Sequence, residues 1–311
     1  MSLLNRRFGR QTTTATTPAH IHSTCIVTGS SSGLGRAIAL LFAREGARLV
    51  ACADLSANAK STFQAEEAGT PTHELICQRY GERKSFFKRC DVTHARDVET
   101  LVQETVKRSA FGEQEPNDYN SVGYDSMRLD VIVNNAGIGG TEGHGQVHEM
   151  TEETWDTTMA ANSKGAFLGC KYAIQQFLRQ APNPAIAGSR GTKGWIINTS
   201  SIMGLVGQKV NGAAYCASKG AVMLLTKSTA VAYAKDKIVC NALCPGHLKT
   251  PMTEGQYKDE EMRRQISSLY PDPEDWGTAE DVARVAVFLA SEDAGFVTGV
   301  GLPVDGGYCA Q

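Results

Sequence analysis

The stretch Ala213-Ala214-Tyr215-Cys216-Ala217-Ser218-Lys219 sets a phenol and an ammonium group four positions apart at the head of an apolar run. On a helix that spacing brings both side chains to one face. A tyrosine of ordinary pKa, about 10, is a poor base near neutrality, but an adjacent cation favours its phenolate and makes it a usable proton acceptor. The pair could therefore move a proton, or it could be an ordinary tyrosine and lysine. Spacing alone does not decide, because Tyr80 with Lys84 and Tyr233 with Lys237 repeat it. The choice depends on the elements that position each pair.

The chain has 311 residues, a net charge of −2, and hydrophobic and charged fractions of 41% and 21%. That is the composition of a globular protein with a sizeable core. The near-neutral balance gives no electrostatic reason to expect nucleic acid or an anionic membrane as partner, and no apolar run is long enough to span a bilayer. Nine scattered cysteines lack zinc-ligand spacing, so buried free thiols in a reducing, cytoplasmic setting are expected, with no metal. No Asp or Glu occurs before Glu45, while Arg6, Arg7, Arg10 and a Thr-rich run do. This matches the composition of an organellar transit peptide. A flexible polar arm over residues 1–21 is the plainer reading.

Short apolar runs alternate with segments of helical period. Strands are expected at Cys25–Val27, Arg48–Ala53, Phe86–Cys90, Leu129–Val133, Trp195–Asn198, Ile238–Leu243 and Phe296–Val304, with a first helix over Arg36–Arg44. Alternating strand and helix implies βαβ units. The expected fold is α/β, a Rossmann-like doubly wound parallel sheet of about seven strands with helices on both faces, in one domain over 22–311. Polar excursions are expected at 69–84, 109–128 and 181–194, and the first of them holds the Tyr80 pair. Trp155, Met159, Ala166, Cys170, Ala173 and Phe177 form a helical apolar stripe, and the amide of Asn162 falls on it.

Between the first strand and first helix lies Thr28-Gly29-Ser30-Ser31-Ser32-Gly33-Leu34-Gly35. Glycines there let the backbone approach a pyrophosphate, which the helix N-terminus favours. Asp54 follows at the end of the second strand, at the separation expected of a carboxylate that reads ribose hydroxyls and repels a 2′-phosphate. NAD is thus favoured over NADP. Ser32 and Leu55, which flank the phosphate site, are not basic; Arg36 is the nearest cation, and a helix-surface role accounts for it.

With these motifs in place, the sequence resembles the short-chain dehydrogenase/reductase family in its smaller single-domain branch, over roughly residues 22–308. Thr28 to Gly35 meets the family's TGxxxGxG motif, and Asn134-Asn135-Ala136-Gly137 meets its NNAG motif. Asp91-Val92 resembles the adenine-binding pair. The resemblance implies a cofactor site formed by Gly29, Ser31, Ser32, Gly33, Leu34, Gly35, Asp54, Asp91, Val92, Asn135, Ala136, Gly137, Tyr215, Lys219, Pro245, Gly246, Leu248 and Thr250. It implies Ser201 as the family serine, with Ser200 as its rival, and Tyr215 and Lys219 as the YxxxK pair. Asn162 would be the helical asparagine, holding a water that links Lys219 to solvent. A purely structural asparagine remains open.

The implied reaction is hydride transfer between a secondary alcohol and a ketone, with Tyr215 as acid and base. A substrate pocket would draw on Ile138, Met203, His247, Met252 and Tyr257 under a variable lid spanning Gly246 to Trp276. His144 and His148 suit the surface. The excursions resemble those of fungal members in secondary metabolism. The segment Leu302 to Gly307 resembles one that packs between subunits, so a homo-oligomer, dimer or tetramer, is expected. A catalytically idle nucleotide-binding scaffold, or an epimerase or dehydratase using bound NAD, are the alternatives.

Overall fold

The structure, a computed structural model, describes residues 23–58, 69–110, 127–139, 146–186, 188–207, 212–273 and 276–311. The strands are β1 (Thr24–Thr28), β2 (Leu49–Asp54), β3 (Ser85–Arg89), β4 (Val131–Asn134), β5 (Gly194–Thr199), β6 (Ile238–Pro245) and β7 (Gly301–Val304). They form one sheet in the order β3-β2-β1-β4-β5-β6-β7, with every neighbouring pair parallel. This is the doubly wound Rossmann-like arrangement expected from the sequence. The strand order reverses between β1 and β4, and in such sheets ligands bind beyond the strand C-termini at that crevice.

The strands need no polar face, because helices cover both sides. Cys25, Val27, Val131, Val133, Trp195 and Ile197 point into one buried cluster with α1 (Gly33–Arg44) and α9 (Ala279–Leu289). The alternating residues Ile26, Ile132 and Ile196 point into the other, with α3 (Ala95–Ser109) and α5 (Gly165–Arg179). The period of two along each strand thus assigns the two cores.

Several elements differ from expectation. Residues 69–84 are not a polar excursion: they carry α2 (Thr72–Tyr80), which buries Thr72, Leu75 and Ile76 and forms the crossover to β3. Most of this helix faces water, which explains its polar sequence. Residues 111–126 of the second excursion lie outside the described residues. The third contains a short 3-10 turn (Gly188–Arg190), yet it is anchored by buried Ile186 and by Asn183, whose amide donates to Asp130 Oδ1 at 3.3 Å. β7 begins at Gly301 rather than Phe296, whose ring is 85% exposed.

The expected stripe around Asn162 is also broken. α4 (Glu152–Met159) and α5 are joined by a π-helical turn, Ala160–Lys164. The turn resets the 3.6-residue period, so Ala166, Cys170, Ala173 and Phe177 are buried while Trp155 is 42% exposed.

Neither rival Tyr–Lys pair lies on one helical face. Tyr80 ends α2 and packs on the first core cluster, with Lys84 beyond the helix. Tyr233 caps α6 (Ala213–Ala232) and packs on the second, while Lys237 follows in a left-handed turn, φ 62°. Only Tyr215 and Lys219 share a helix.

Candidate active site

The crevice between β1 and β4 is built by backbone contacts that only small residues permit. A Cβ on Gly35 would lie 2.1 Å from the Gly29 carbonyl oxygen and 2.5 Å from Asn135 Nδ2, so the helix enters directly against the loop. α1 begins at Gly33, three residues before the expected Arg36. Its first turn carries no acidic residue, and the Ser32 side chain makes no capping hydrogen bond. The first turn of α1 thus has no cap from Ser32 and no carboxylate of its own, and a helix N-terminus of that kind favours an anion.

Asp54 sits at the tip of β2, where the Ser31 N–H donates to its Oδ2 at 3.0 Å and the Leu55 N–H to its Oδ1 at 2.7 Å. Ser31 is fixed in turn by a hydrogen bond from its hydroxyl to the Ser56 carbonyl, 2.5 Å. Arg36, expected on the helix surface, is buried. Its guanidinium donates to the Thr70 carbonyl and Thr72 Oγ1 at 2.8 and 3.0 Å, and so ties α1 to the start of α2. It is thereby directed at α2 rather than at the ribose side.

The Asn134-Asn135-Ala136-Gly137 segment bridges three strands. The N–H groups of Asn135 and Ala136 both donate to Thr28 Oγ1 at 3.0 Å, and Asn135 Nδ2 donates to the Thr28 carbonyl at 3.0 Å. Below them Asn134 Nδ2 donates to Asn198 Oδ1 at 2.8 Å, and Asn198 Nδ2 to Thr226 Oγ1 at 2.9 Å. This buried amide chain, which links β4, β5 and α6, was not singled out from sequence. After β3, Asp91 accepts from the Thr93 N–H and hydroxyl at 2.9 and 2.7 Å. Burial raises its pKa, but the bonds from Thr93 and the nearby His94 outweigh that and hold the carboxyl below its usual range. Val92 packs, half-buried, on the second core.

Tyr215 and Lys219 occupy the first turns of α6, with Lys219 Nζ 5.6 Å from the centre of the Tyr215 ring. Lys219 is buried and donates to the Thr199 carbonyl at 2.8 Å. Ser201, just beyond β5, caps a short turn by accepting the Met203 N–H at 3.1 Å, and it lies near enough to Tyr215 to pull the phenol's pKa down. Ser200 is committed elsewhere: its hydroxyl donates to the Lys219 carbonyl at 2.9 Å. Of the two candidate serines, Ser201 is the one beside Tyr215.

The electrostatics depart from the simple expectation that Lys219 lowers the phenol. Burial pushes Tyr215 above its ordinary value, Ser201 pulls it back in part, and Cys216 adds to the rise. Burial also draws Lys219 down to about 8. Each group is thus shifted toward its neutral form.

Asn162 is buried on the π turn. Its Oδ1 accepts the Ile138 N–H at 2.8 Å, while Nδ2 donates to the Ile138 carbonyl and Ser218 Oγ, both at 3.0 Å. The amide is therefore occupied in fixing the β4 loop to α6. Gly137 lies directly beside it: a Cβ there would be 2.7 Å from Asn162 Oδ1 and 3.6 Å from Lys219 Nζ.

Pro245 ends β6, and the segment after it, with Gly246, Leu248 and Thr250, returns to the Gly loop, where a Cβ on Gly33 would meet Thr250 Cβ at 3.5 Å. Leu248 bridges Gly277. Two short helices follow, α7 (Glu254–Lys258) and α8 (Glu260–Ser267). Met252 covers Gly139, whose added Cβ would lie 3.3 Å from Met252 Cγ, and Ile138 is adjacent and partly exposed. Met203 is buried behind Ser201.

His247 and Tyr257 are engaged in an aromatic cluster instead of simply lining a pocket. His247 packs on Tyr270, Trp276 and Tyr308, with ring centres 5.9, 5.5 and 6.4 Å away, and Tyr257 packs on Trp276 at 5.3 Å. His148 is exposed on a 3-10 turn (Val147–Glu149), and His144 lies outside the described residues.

Comparison with known proteins agrees with this architecture. The family model for enoyl-(acyl carrier protein) reductase matches residues 119–309. The chain is 40% identical over 285 residues to 2-(R)-hydroxypropyl-CoM dehydrogenase of Xanthobacter autotrophicus, covering 92% of this chain and 98% of that protein. It is 33% identical to 3beta-hydroxysteroid dehydrogenase 2 of Eggerthella lenta, over 94% of this chain and 97% of that one. Among solved structures it resembles an Agrobacterium tumefaciens protein assigned provisionally as a 2-deoxy-D-gluconate 3-dehydrogenase, with bound NADP. The TM-score is 0.71 and the identity 28%, over 94% of this chain and 99% of the other. The chain belongs to the short-chain dehydrogenase/reductase family of oxidoreductases.

Proposed function

We propose that this protein interconverts a secondary alcohol and a ketone, using NAD. The observation that carries this is the convergence of Ser201, Tyr215 and Lys219 beside Gly137, just past β4. Two relatives, by their names, are dehydrogenases of hydroxylated substrates.

The crevice fits a dinucleotide. The N-terminus of α1 suits the pyrophosphate, the pinned carboxylate of Asp54 suits the adenosine ribose, and Asp91 with Val92 suits the adenine. Leu55, beside Asp54, is apolar and exposed, and Arg36 is committed to α2. Both facts favour NAD over NADP, although one structural relative holds NADP. When bound, the nicotinamide accepts or supplies the hydride.

The remaining chemistry belongs to the chain. Ser201 hydrogen-bonds the substrate oxygen and Tyr215 takes its proton during oxidation, returning it during reduction. Lys219, from the same helix face, favours the phenolate as that proton moves. Asn162 acts by holding the Ile138–Gly139 strip and the start of α6 in register. Its Oδ1 keeps one lone pair for a water toward Lys219, and its two N–H groups are already used. The substrate enters between Met252 and Ile138.

The test is a panel of alcohols and ketones with NAD and NADH, read at the nicotinamide absorbance band. Turnover that Tyr215→Phe abolishes while NADH binding persists supports the assignment. Turnover near wild type in Tyr215→Phe refutes it.

A further inference from the structure

We propose that Tyr270 is a positioning residue that sets the post-β6 turn against the nicotinamide, and that the C-terminal tail locks it in place. This rests on the functional reading above, together with the family resemblance that puts Pro245, Gly246, Leu248 and Thr250 in the cofactor site.

The tyrosine hydroxyl is shared entirely with one residue of that turn. The His247 backbone N–H donates to Tyr270 Oη at 2.8 Å, and Oη also lies 2.8 Å from His247 Nδ1. In the proposed pin the phenol accepts from the backbone N–H and gives its one proton to Nδ1, an arrangement that puts the imidazole proton on Nε2. His247 is held neutral in this arrangement by burial, which draws it down to about 4. The same hydroxyl oxygen is 2.9 Å from where a Cβ on Gly246 would stand, so the turn has closed onto it. A Cβ at position 246 would also stand 3.0 Å from the Asp305 Cα, so a side chain there would crowd both neighbours.

The tail backs Tyr270 from the other side. Tyr308 packs on the Tyr270 ring at 5.1 Å, and Gln311 Nε2 donates to the Leu269 carbonyl at 2.6 Å. Asp305 closes the hook by accepting the Gly307 and Cys309 N–H groups at 3.0 and 2.9 Å. Gly246 itself donates to the Val304 carbonyl at 3.0 Å. The turn, Tyr270 within the lid and residues 304–311 thus form one mechanical unit. A side chain that touches neither substrate nor cofactor can still set the approach of the reacting atoms. Misplacement by about 1 Å can cost roughly 100-fold in rate.

The experiment compares full-length wild type, Tyr270→Phe and Tyr308→Ala. The readouts are kcat, NADH affinity, and affinity for ADP-ribose, which lacks the nicotinamide. Tyr270→Phe keeps the ring and removes only the hydroxyl. It should lower kcat about 10- to 100-fold and weaken NADH about fivefold, with ADP-ribose binding unchanged; Tyr308→Ala should move both in the same direction by less. Equal weakening of NADH and ADP-ribose would mean general loosening and overturn the proposal, as would unchanged kcat and NADH affinity. The imidazole nitrogen shifts of His247 test the pin without ligand. They should report the Nε2–H tautomer in wild type and its loss in Tyr270→Phe; no change between the two overturns the pin. A wild type that binds neither NADH nor ADP-ribose overturns the functional reading instead, and the imidazole shifts still judge the pin.

Discussion

Replacing Lys219 by methionine tests whether its charge helps to ionise Tyr215. The side chain keeps comparable length and apolar volume and loses only the ammonium group and its bond to the Thr199 carbonyl. At 5.6 Å from the ring centre, a unit charge interacts with the phenolate by about 3 kcal/mol at an effective dielectric constant near 20. That corresponds to about 2 pK units. Burial already raises Tyr215, so below about pH 8, where Lys219 is charged, removing the cation makes the phenolate harder still to form. Alcohol oxidation in Lys219→Met should therefore fall about 100-fold near neutrality and approach the wild-type rate as pH rises past about 8, where Lys219 is itself neutral in the wild type. The wild-type profile belongs to the coupled pair, since Lys219 itself loses its proton at about 8. The assay is kcat/KM for an active alcohol at saturating NAD, from about pH 6 to about pH 11, with NADH binding as the check on folding. A pH-independent loss would refute electrostatic assistance and leave Lys219 a purely structural or ribose-binding residue.

Three other outcomes are expected. Asp54→Ala should narrow the ratio of kcat/KM for NAD over NADP, and an unchanged ratio would remove Asp54 as the ribose reader. Ser201→Ala should lower kcat by about 100-fold or more, whereas Ser200→Ala, which breaks a helix tether, should cost only about 1 kcal/mol in urea unfolding and leave kcat near wild type; the reverse pattern would exchange their roles. His247 titrates at about 4 in the folded chain against 6.5 as a free group. The unfolded chain therefore binds more protons between those values, and stability rises with pH across that window, being lost on acidification by up to about 3 kcal/mol. Urea midpoints at both ends of the window in wild type and His247→Gln check this, the variant showing the shallower slope.

The sheet and its switch point were legible because buried parallel strands are continuous apolar runs and the Gly loop is a local motif. So was the placement of Tyr215 and Lys219 together on one helix, alone of the three Tyr–Lys pairs. Other features depend on contacts that no local window holds. α2 reads as a loop because most of its surface is wet. Arg36 reads as a surface cation because the carbonyl and hydroxyl that bury it lie beyond β2, at Thr70 and Thr72. The π turn moved Trp155 off a stripe that an unbroken 3.6 period would have kept. The direction of the Tyr215 shift could not come from spacing, since it is set by how far the phenol is buried rather than by which cation is near. The engagement of His247 needed Tyr270 and Tyr308, both distant in the chain.

The strand order also sets a problem in time. β1 is central in the finished sheet, bordered by β2 and by β4, but β4 follows it by roughly a hundred residues. While the chain is being made, β1, β2 and β3 can pair among themselves and leave one side of β1 with bare peptide groups until β4 emerges. At about 5–20 residues per second, that interval is on the order of 5–20 s. An unpaired edge that lies in the centre of the mature sheet carries none of the charges or prolines that protect permanent edges: Thr24, Cys25, Ile26, Val27 and Thr28 are all apolar or neutral. The reversal of strand order that opens the crevice thus also leaves β1 in need of shielding during synthesis.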